Sequence, residues 1–166
     1  DSIGTSIRAL AWQHLRESFG MARVSNRLKV FISYRSGHER LAEAIAVRLG
    51  REGLDPWFDK WEVLAGDSLP GKIEQGFAES VAFIALITSD YREGRWATEE
   101  MEIAITRRVE EAYPVIPILA DDCPKPHLLR HLVHVDLRER NPEAFEVKMG
   151  EVIDAINRLD RNPFRR

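Results

Sequence analysis

A doubly wound α/β domain, with five parallel strands and helices on both faces, is the fold that this 166-residue sequence predicts. Two observations carry it. Five short apolar runs, rich in β-branched or aromatic residues, alternate with amphipathic stretches through residues 28–157, and such strand–helix alternation is the pattern of a parallel sheet. One of these runs, Val81–Ile87, is apolar at all seven positions, as a central strand covered on both faces must be.

The predicted strands are Leu28–Ser33, Leu54–Phe58, Val81–Thr88, Val115–Leu119 and Val133–Leu137. Each is too short to be a buried helix. Between the first two, His38–Glu52 places Leu41, Ala44, Ile45 and Leu49 on one helical face, with Gly50 and Gly53 as a stop. Pro70–Ser80 reads as a second helix, with Pro70 near its start and Ile73 and Phe77 on one face. Trp96–Glu111 is a third, and the segment from His127 is short and ambiguous. Asn141-Pro142 opens the last helix, whose stripe is Phe145, Met149, Val152, Ile153, Ile156 and Leu159. Five such strands fit the flavodoxin-like order 2-1-3-4-5 in a three-layer sandwich. Ligands of open parallel sheets bind beyond the carboxyl ends of the strands, where the strand order reverses. That reversal falls between strands 1 and 3, so the predicted site is built from the loops Ser33–Gly37 and Thr88–Trp96, flanked by Asp59–Leu69.

Composition narrows the function. With 44% hydrophobic and 31% charged residues, the chain has the balance of a globular domain. Its longest apolar run of seven residues is far below the roughly 20 that a membrane span needs. Of the net charge of −3, residues 1–27 contribute +2 and residues 158–166 contribute +3, which leaves −8 on the body between them. An acidic body with short basic ends is poorly suited to a nucleic-acid backbone. One cysteine, Cys123, allows neither an internal disulfide framework nor a thiolate zinc site and suits a reducing cytoplasm. Residues 1–27 are expected to form a linker or appended helix and residues 161–166 a basic tail, around a domain at 28–160. The opening Asp1-Ser2-Ile3-Gly4 lacks the features of a signal peptide and an initiator Met, as expected of a piece of a longer polypeptide.

Glu100 is the sharpest local anomaly. On a helical wheel at about 100° per residue it falls inside the apolar arc of Trp96, Ala97, Met101, Ile103 and Ala104, whereas Glu99, Glu102 and Glu110 point away. A carboxylate in a core-facing stripe is costly unless paired, hydrogen-bonded or at a cleft. Arg107 lies on the same face, so the wheel alone leaves a structural ion pair and a functional carboxylate both open. Trp96, one turn earlier, would set a flat ring beside Glu100. Several lookalikes fall away. Gly66-Asp67-Ser68-Leu69-Pro70-Gly71-Lys72 imitates a phosphate loop, but Ile73 replaces its magnesium-binding hydroxyl and Pro70 removes an amide. His127, His131 and His134 lack a completing carboxylate or thiolate. Asp121-Asp122 would raise the Cys123 thiol pKa. No metal site is expected.

Taken in order, the motifs resemble a Toll/interleukin-receptor (TIR) domain of the bacterial type. Leu28-Lys29-Val30-Phe31-Ile32-Ser33-Tyr34 is similar to its opening strand, and Gly53-Leu54-Asp55-Pro56-Trp57-Phe58-Asp59 to its second. Leu64-Ala65-Gly66-Asp67-Ser68-Leu69 resembles its BB loop, and Ile73–Ser80 leads into the Val81 strand as the next unit does. Trp96-Ala97-Thr98-Glu99-Glu100 matches W-x-x-x-E. The family holds non-enzymatic TIR–TIR interaction modules and enzymes that split NAD+ between nicotinamide and ribose, for which that glutamate is essential. The resemblance therefore implies an NAD+ hydrolase with Glu100 catalytic. It further implies substrate contacts from Trp96, from Ser33, Tyr34 and Arg35 beyond strand 1, from Trp57, Phe58, Asp59 and Trp61, and from Asp67 and Ser68 of the BB loop. NAD+ is then the substrate and no cofactor is expected, while the implied partners are other TIR domains in a homo-oligomer or filament. The alternative is an interaction module in which Glu100 pairs with Arg107. Arg95, Ala97 and Ser36-Gly37 depart from residues common in family enzymes.

Overall fold

The computed structural model describes residues 28–34, 37–60, 78–89, 106, 110, 111, 113–125 and 129–160, with side chains at all of these except 58–60, 159 and 160. Its elements are β1 (Lys29–Tyr34), α1 (Glu39–Arg51), β2 (Asp55–Lys60), β3 (Ala82–Ile87), β4 (Val115–Leu119), β5 (Val135–Asp136) and α2 (Pro142–Asp160). The five strands form one sheet in the order β2-β1-β3-β4-β5, and every pairing is parallel. The chain thus adopts the expected flavodoxin-like order, with its reversal between β1 and β3.

Successive strand residues face opposite sides of a sheet, and that period divides the core. Val30, Ile32 and Tyr34 of β1 join Ala82, Ile84 and Leu86 of β3 under α1 and α2. Phe31, Phe83, Ala85 and Ile87 face the other way, with Tyr113, Val115, Leu119 and Leu129. On that second face the Phe31 ring lies between Trp57 and Phe83, with centroids 5.0 and 5.3 Å away. Of the helices expected at 70–80 and 96–111, Ala78, Glu79, Thr106 and Glu110 are described and are helical, whereas Ser80 and Glu111 are described and lie outside helix. The rest of those segments, and the expected N-terminal helix and C-terminal tail, lie outside the described residues.

Local chemistry sets the ends of the helices. α1 stops in a Schellman arrangement, in which Leu54 N–H donates to the Leu49 carbonyl and Gly53 N–H to the Gly50 carbonyl. Gly53 has φ +84° there, a left-handed conformation that glycine adopts without steric cost. At the start of α2, the Asn141 side-chain oxygen accepts from Ala144 N–H at 2.8 Å, and Pro142 occupies the first turn, where its missing N–H costs nothing. Arg48 of α1 bonds Glu52 at 2.7 Å and Glu146 of α2 at 2.8 Å, tying the two helices together over the sheet.

Strand boundaries differ from the sequence expectation, and β3 spans Ala82–Ile87 in place of Val81–Thr88. β1 and β2 run further, because Ser33 pairs with Asp59 and Tyr34 with Lys60. Tyr34 and Asp59 therefore belong to strands, not to the loops after them, and Ser33 lies in the strand as the run Leu28–Ser33 predicts. β5 is shorter than the expected Val133–Leu137, and His134 falls before it. Pro117 supplies the reason. Leu119 accepts from Leu137 N–H, whereas Pro114 and Ala120 bond toward β3, so alternation along the ladder turns the edge of residue 117 toward β5. Proline offers no N–H there. The β4–β5 ladder accordingly begins at Ile118–Val135, and Val133 swings out to 92% exposure.

Candidate active site

The carboxyl ends of all five parallel strands lie along one edge of the sheet, and β1 and β3 flank the reversal in strand order. This is where doubly wound sheets leave room for a ligand. In the register here, Asp59, Ser33, Ala85 and Pro117 fall in one row across the sheet. The row lies two residues beyond Trp57, Phe31, Phe83 and Val115. Large rings thus give way to small side chains at Ser33 and Ala85 as the face approaches the edge.

Ser33 is fully buried, and its hydroxyl has no hydrogen-bond partner among the described residues. Thr88, the first residue after β3, is likewise 0% exposed with an unpartnered hydroxyl. A buried hydroxyl left without a partner costs about 1–3 kcal/mol. The two such groups among the described residues both stand at the carboxyl ends of the strands that border the crevice. In the sequence Thr88 both ends the apolar run and opens the expected site loop Thr88–Trp96; its unpartnered hydroxyl is what the structure adds.

Around Thr88 the chain is held on both sides. The Ile87 carbonyl accepts from Ala120 N–H at 2.9 Å, and the Ser89 N–H and hydroxyl both donate to one oxygen of Asp121, each at 3.2 Å. The other Asp121 oxygen accepts from Arg140 at 3.1 Å, and Arg140 also donates to the Ala120 carbonyl. Next to this clamp, the Arg138 fork meets Asp136 at 2.7 and 3.0 Å and reaches Asp122 at 3.2 Å. These Arg138 hydrogen bonds, from the side chain and then the backbone N–H, hold the Asp136 carboxyl well below the usual carboxylate range. Aspartates and arginines at the exits of β4 and β5 therefore fasten the edge of the sheet beside the crevice.

The sequence-predicted site residues divide by place. Ser33 stands on β1 beside the reversal in strand order, on the face of Phe31 and Phe83. Tyr34 turns to the opposite face and packs in the core under α1, so these neighbours do not share a face. Trp57 is partly buried with its ring against Phe31. Phe58 and Asp59 are placed by backbone register opposite Ile32 and Ser33. Arg35, Trp61, Asp67, Ser68, Trp96 and Glu100 lie outside the described residues.

Comparison with known proteins adds to the geometry. The model of the TIR domain family matches residues 30–149. An archaeal relative, the NAD(+) hydrolase TcpA of Theionarchaea archaeon, is 28% identical over 48% of this chain and 24% of its own length. The 2′ cyclic ADP-D-ribose synthase AbTIR of Acinetobacter baumannii is 27% identical over 54% of this chain and 34% of its own. The chain thus spans about a quarter to a third of the length of these curated relatives. Among solved structures, the TIR domain of the Toll-related receptor TRR-2 from Hydra magnipapillata superposes with a TM-score of 0.53 at 16% identity, covering 76% of this chain and 97% of that one. That likeness concerns the fold.

Proposed function

The chain belongs to the TIR domain family, and from that premise we propose that it is an NAD+ nucleosidase cleaving the bond between nicotinamide and ribose. The observation that carries the reading is a conjunction. Relatives named for NAD+ hydrolysis and cyclic ADP-ribose synthesis match about half of the chain, and the chain itself carries Trp96-Ala97-Thr98-Glu99-Glu100, with a carboxylate set in an apolar helical stripe.

Nicotinamide leaves as a neutral base. The ribose–nitrogen bond breaks, its electron pair passes to the pyridinium nitrogen, and positive charge moves to the ribosyl carbon and ring oxygen. Such an oxocarbenium-like centre is stabilised by a fixed carboxylate close by, in a site that excludes water. In the proposal Glu100 is that carboxylate and also holds ribose hydroxyls. Trp96 and Trp61 wall the flat rings, Arg35 meets the pyrophosphate, and Asp67 and Ser68 close the site from the BB loop. Ser33 offers its buried hydroxyl from β1. Capture of the ribosyl centre by water, with loss of a proton, yields ADP-ribose; capture by a hydroxyl of the same dinucleotide yields a cyclic isomer. No metal ion is required, because the slow step needs no activated water. Self-association through TIR contacts completes the site in this reading, within a bacterial defence or signalling protein acting in the cytoplasm.

The test is direct. The chain is incubated with NAD+ and the products are resolved by chromatography, which separates nicotinamide, ADP-ribose and cyclic isomers. Glu100→Gln keeps the shape and removes the charge; it should cut cleavage by about 10²-fold or more. A folded Glu100→Gln protein with wild-type turnover would overturn the assignment. Unchanged NAD+ after incubation at high protein concentration would instead support an interaction module.

A further inference from the structure

We propose that Thr88, at the exit of the central strand β3, is a substrate-binding residue whose hydroxyl hydrogen-bonds the sugar–phosphate part of the bound dinucleotide, an inference that rests on the NAD+ reading above. Thr88 is 0% exposed and its Oγ1 has no partner among the described residues. A buried threonine ordinarily turns its hydroxyl to a nearby backbone carbonyl. Here the backbone is fixed on both sides, by Ala120 N–H on the Ile87 carbonyl and by Ser89 on Asp121, and still the oxygen is unmatched. Nothing described in the free protein uses it; valine would fill the same volume without the cost of an unpaired hydroxyl. The second orphaned hydroxyl, Ser33 Oγ, stands on β1 at the other side of the strand reversal. Two unmatched buried hydroxyls thus stand at the carboxyl ends of the two strands that border the reversal.

The chemistry narrows what is bound. A hydroxyl is neutral, with one donor and two acceptor lone pairs, and so suits ribose hydroxyls and phosphate oxygens better than it suits the cationic pyridinium. Its rigid mounting means that little side-chain entropy is lost on binding. Thr88 therefore acts on binding, not on the bond-breaking step, and its effect belongs in KM.

The experiment compares wild type, Thr88→Val and Thr88→Ser for NAD+ turnover, for inhibition by ADP-ribose, and for thermal unfolding without ligand. Thr88→Val should raise KM and the ADP-ribose inhibition constant about tenfold, leave kcat within about twofold, and melt at or above the wild-type temperature. Thr88→Ser, which restores the oxygen, should recover most of the lost affinity. Wild-type KM in Thr88→Val, or a fall in kcat with KM unchanged, overturns the assignment. So does a clearly lowered melting temperature in Thr88→Val, because it shows the hydroxyl already satisfied in the free protein. If wild type neither turns over NAD+ nor is inhibited by ADP-ribose, the NAD+ reading itself has failed and this assignment falls with it; a failure confined to the variants leaves that reading standing.

Discussion

Replacing Ser33 by alanine takes one oxygen out of the interior of the sheet, and the structure sets both the sign and the size of the result. The side chain is fully buried, beside Ala85 in register and on the face that carries Phe31 and Phe83. Its hydroxyl has no partner among the described residues, so folding strips it of water for about 1–3 kcal/mol with nothing in return. The void left by one oxygen is on the order of 15 Å³, which at about 24 cal/mol per Å³ costs roughly 0.4 kcal/mol. The free Ser33→Ala protein should therefore be more stable by about 0.5–2.5 kcal/mol. For a chain of this size that is a rise in melting temperature of about 2–4 °C per kcal/mol. Circular dichroism melts without ligand measure the gain. In the proposed reading, in which NAD+ binds this hydroxyl, chromatographic assay of NAD+ cleavage on the same protein should show a KM raised several-fold. Stability and affinity move in opposite directions, which an ordinary packing residue would not do. A Ser33→Ala protein that melts several degrees lower would refute the reasoning, because it would mean that the hydroxyl is paired before any ligand binds.

Other expectations follow from single features. Gly53→Ala should lower the urea midpoint by the equivalent of about 1 kcal/mol, since a Cβ at Gly53 meets nothing within 4 Å and the penalty comes from its φ of +84° alone. Gly53→Asn, which tolerates that conformation, should recover part of the loss. Asn141→Ala removes the oxygen that holds Ala144 N–H and should cost about 1 kcal/mol in chemical denaturation. The Asp136 carboxyl is held low in the folded state, chiefly by hydrogen bonds from Arg138, so the unfolded chain takes up that proton first as pH falls. The stability it contributes is complete above about pH 4 and is lost as pH drops below that toward the folded-state value. Wild type should accordingly exceed Asp136→Asn in denaturant midpoint at neutral pH, and the gap should narrow in acid; a gap independent of pH would show that the ion pair is not its source. If self-association completes the site, the specific activity for NAD+ should rise with protein concentration, whereas rates proportional to enzyme over a wide range would count against that.

The arrangement of strands was legible because apolar length and periodicity are local properties. Val81–Ile87 could be nothing but a central strand, and all six residues of Ala82–Ile87 are buried. Gly53 and Asn141-Pro142 marked helix ends through backbone preferences that act within a few residues. The reversal between strands 1 and 3 was legible too, since it follows from strand order. What the residues do at that edge was less so. Ser33 and Tyr34 are adjacent in the sequence and were expected to act together, but pairing with Asp59 and Lys60 keeps both in the strand and sends them to opposite faces.

By itself the sequence determined the fold class, the order of the elements and the candidate chemistry of Glu100, because these depend on local periodicity, on turn-forming residues and on a motif read in one stretch. Only the tertiary structure decided which polar groups are left unsatisfied, because a hydroxyl is orphaned by its surroundings and not by its own chemistry. The sequence does not mark either the Ser33 or the Thr88 hydroxyl as unsatisfied; each is left without a partner among the described residues once strands distant along the chain close around it. Pro117 shows the same dependence. Its missing N–H was always written in the sequence, but only the pairing of β4 between β3 and β5 turns that gap toward the edge strand, shortens β5 and leaves Val133 exposed.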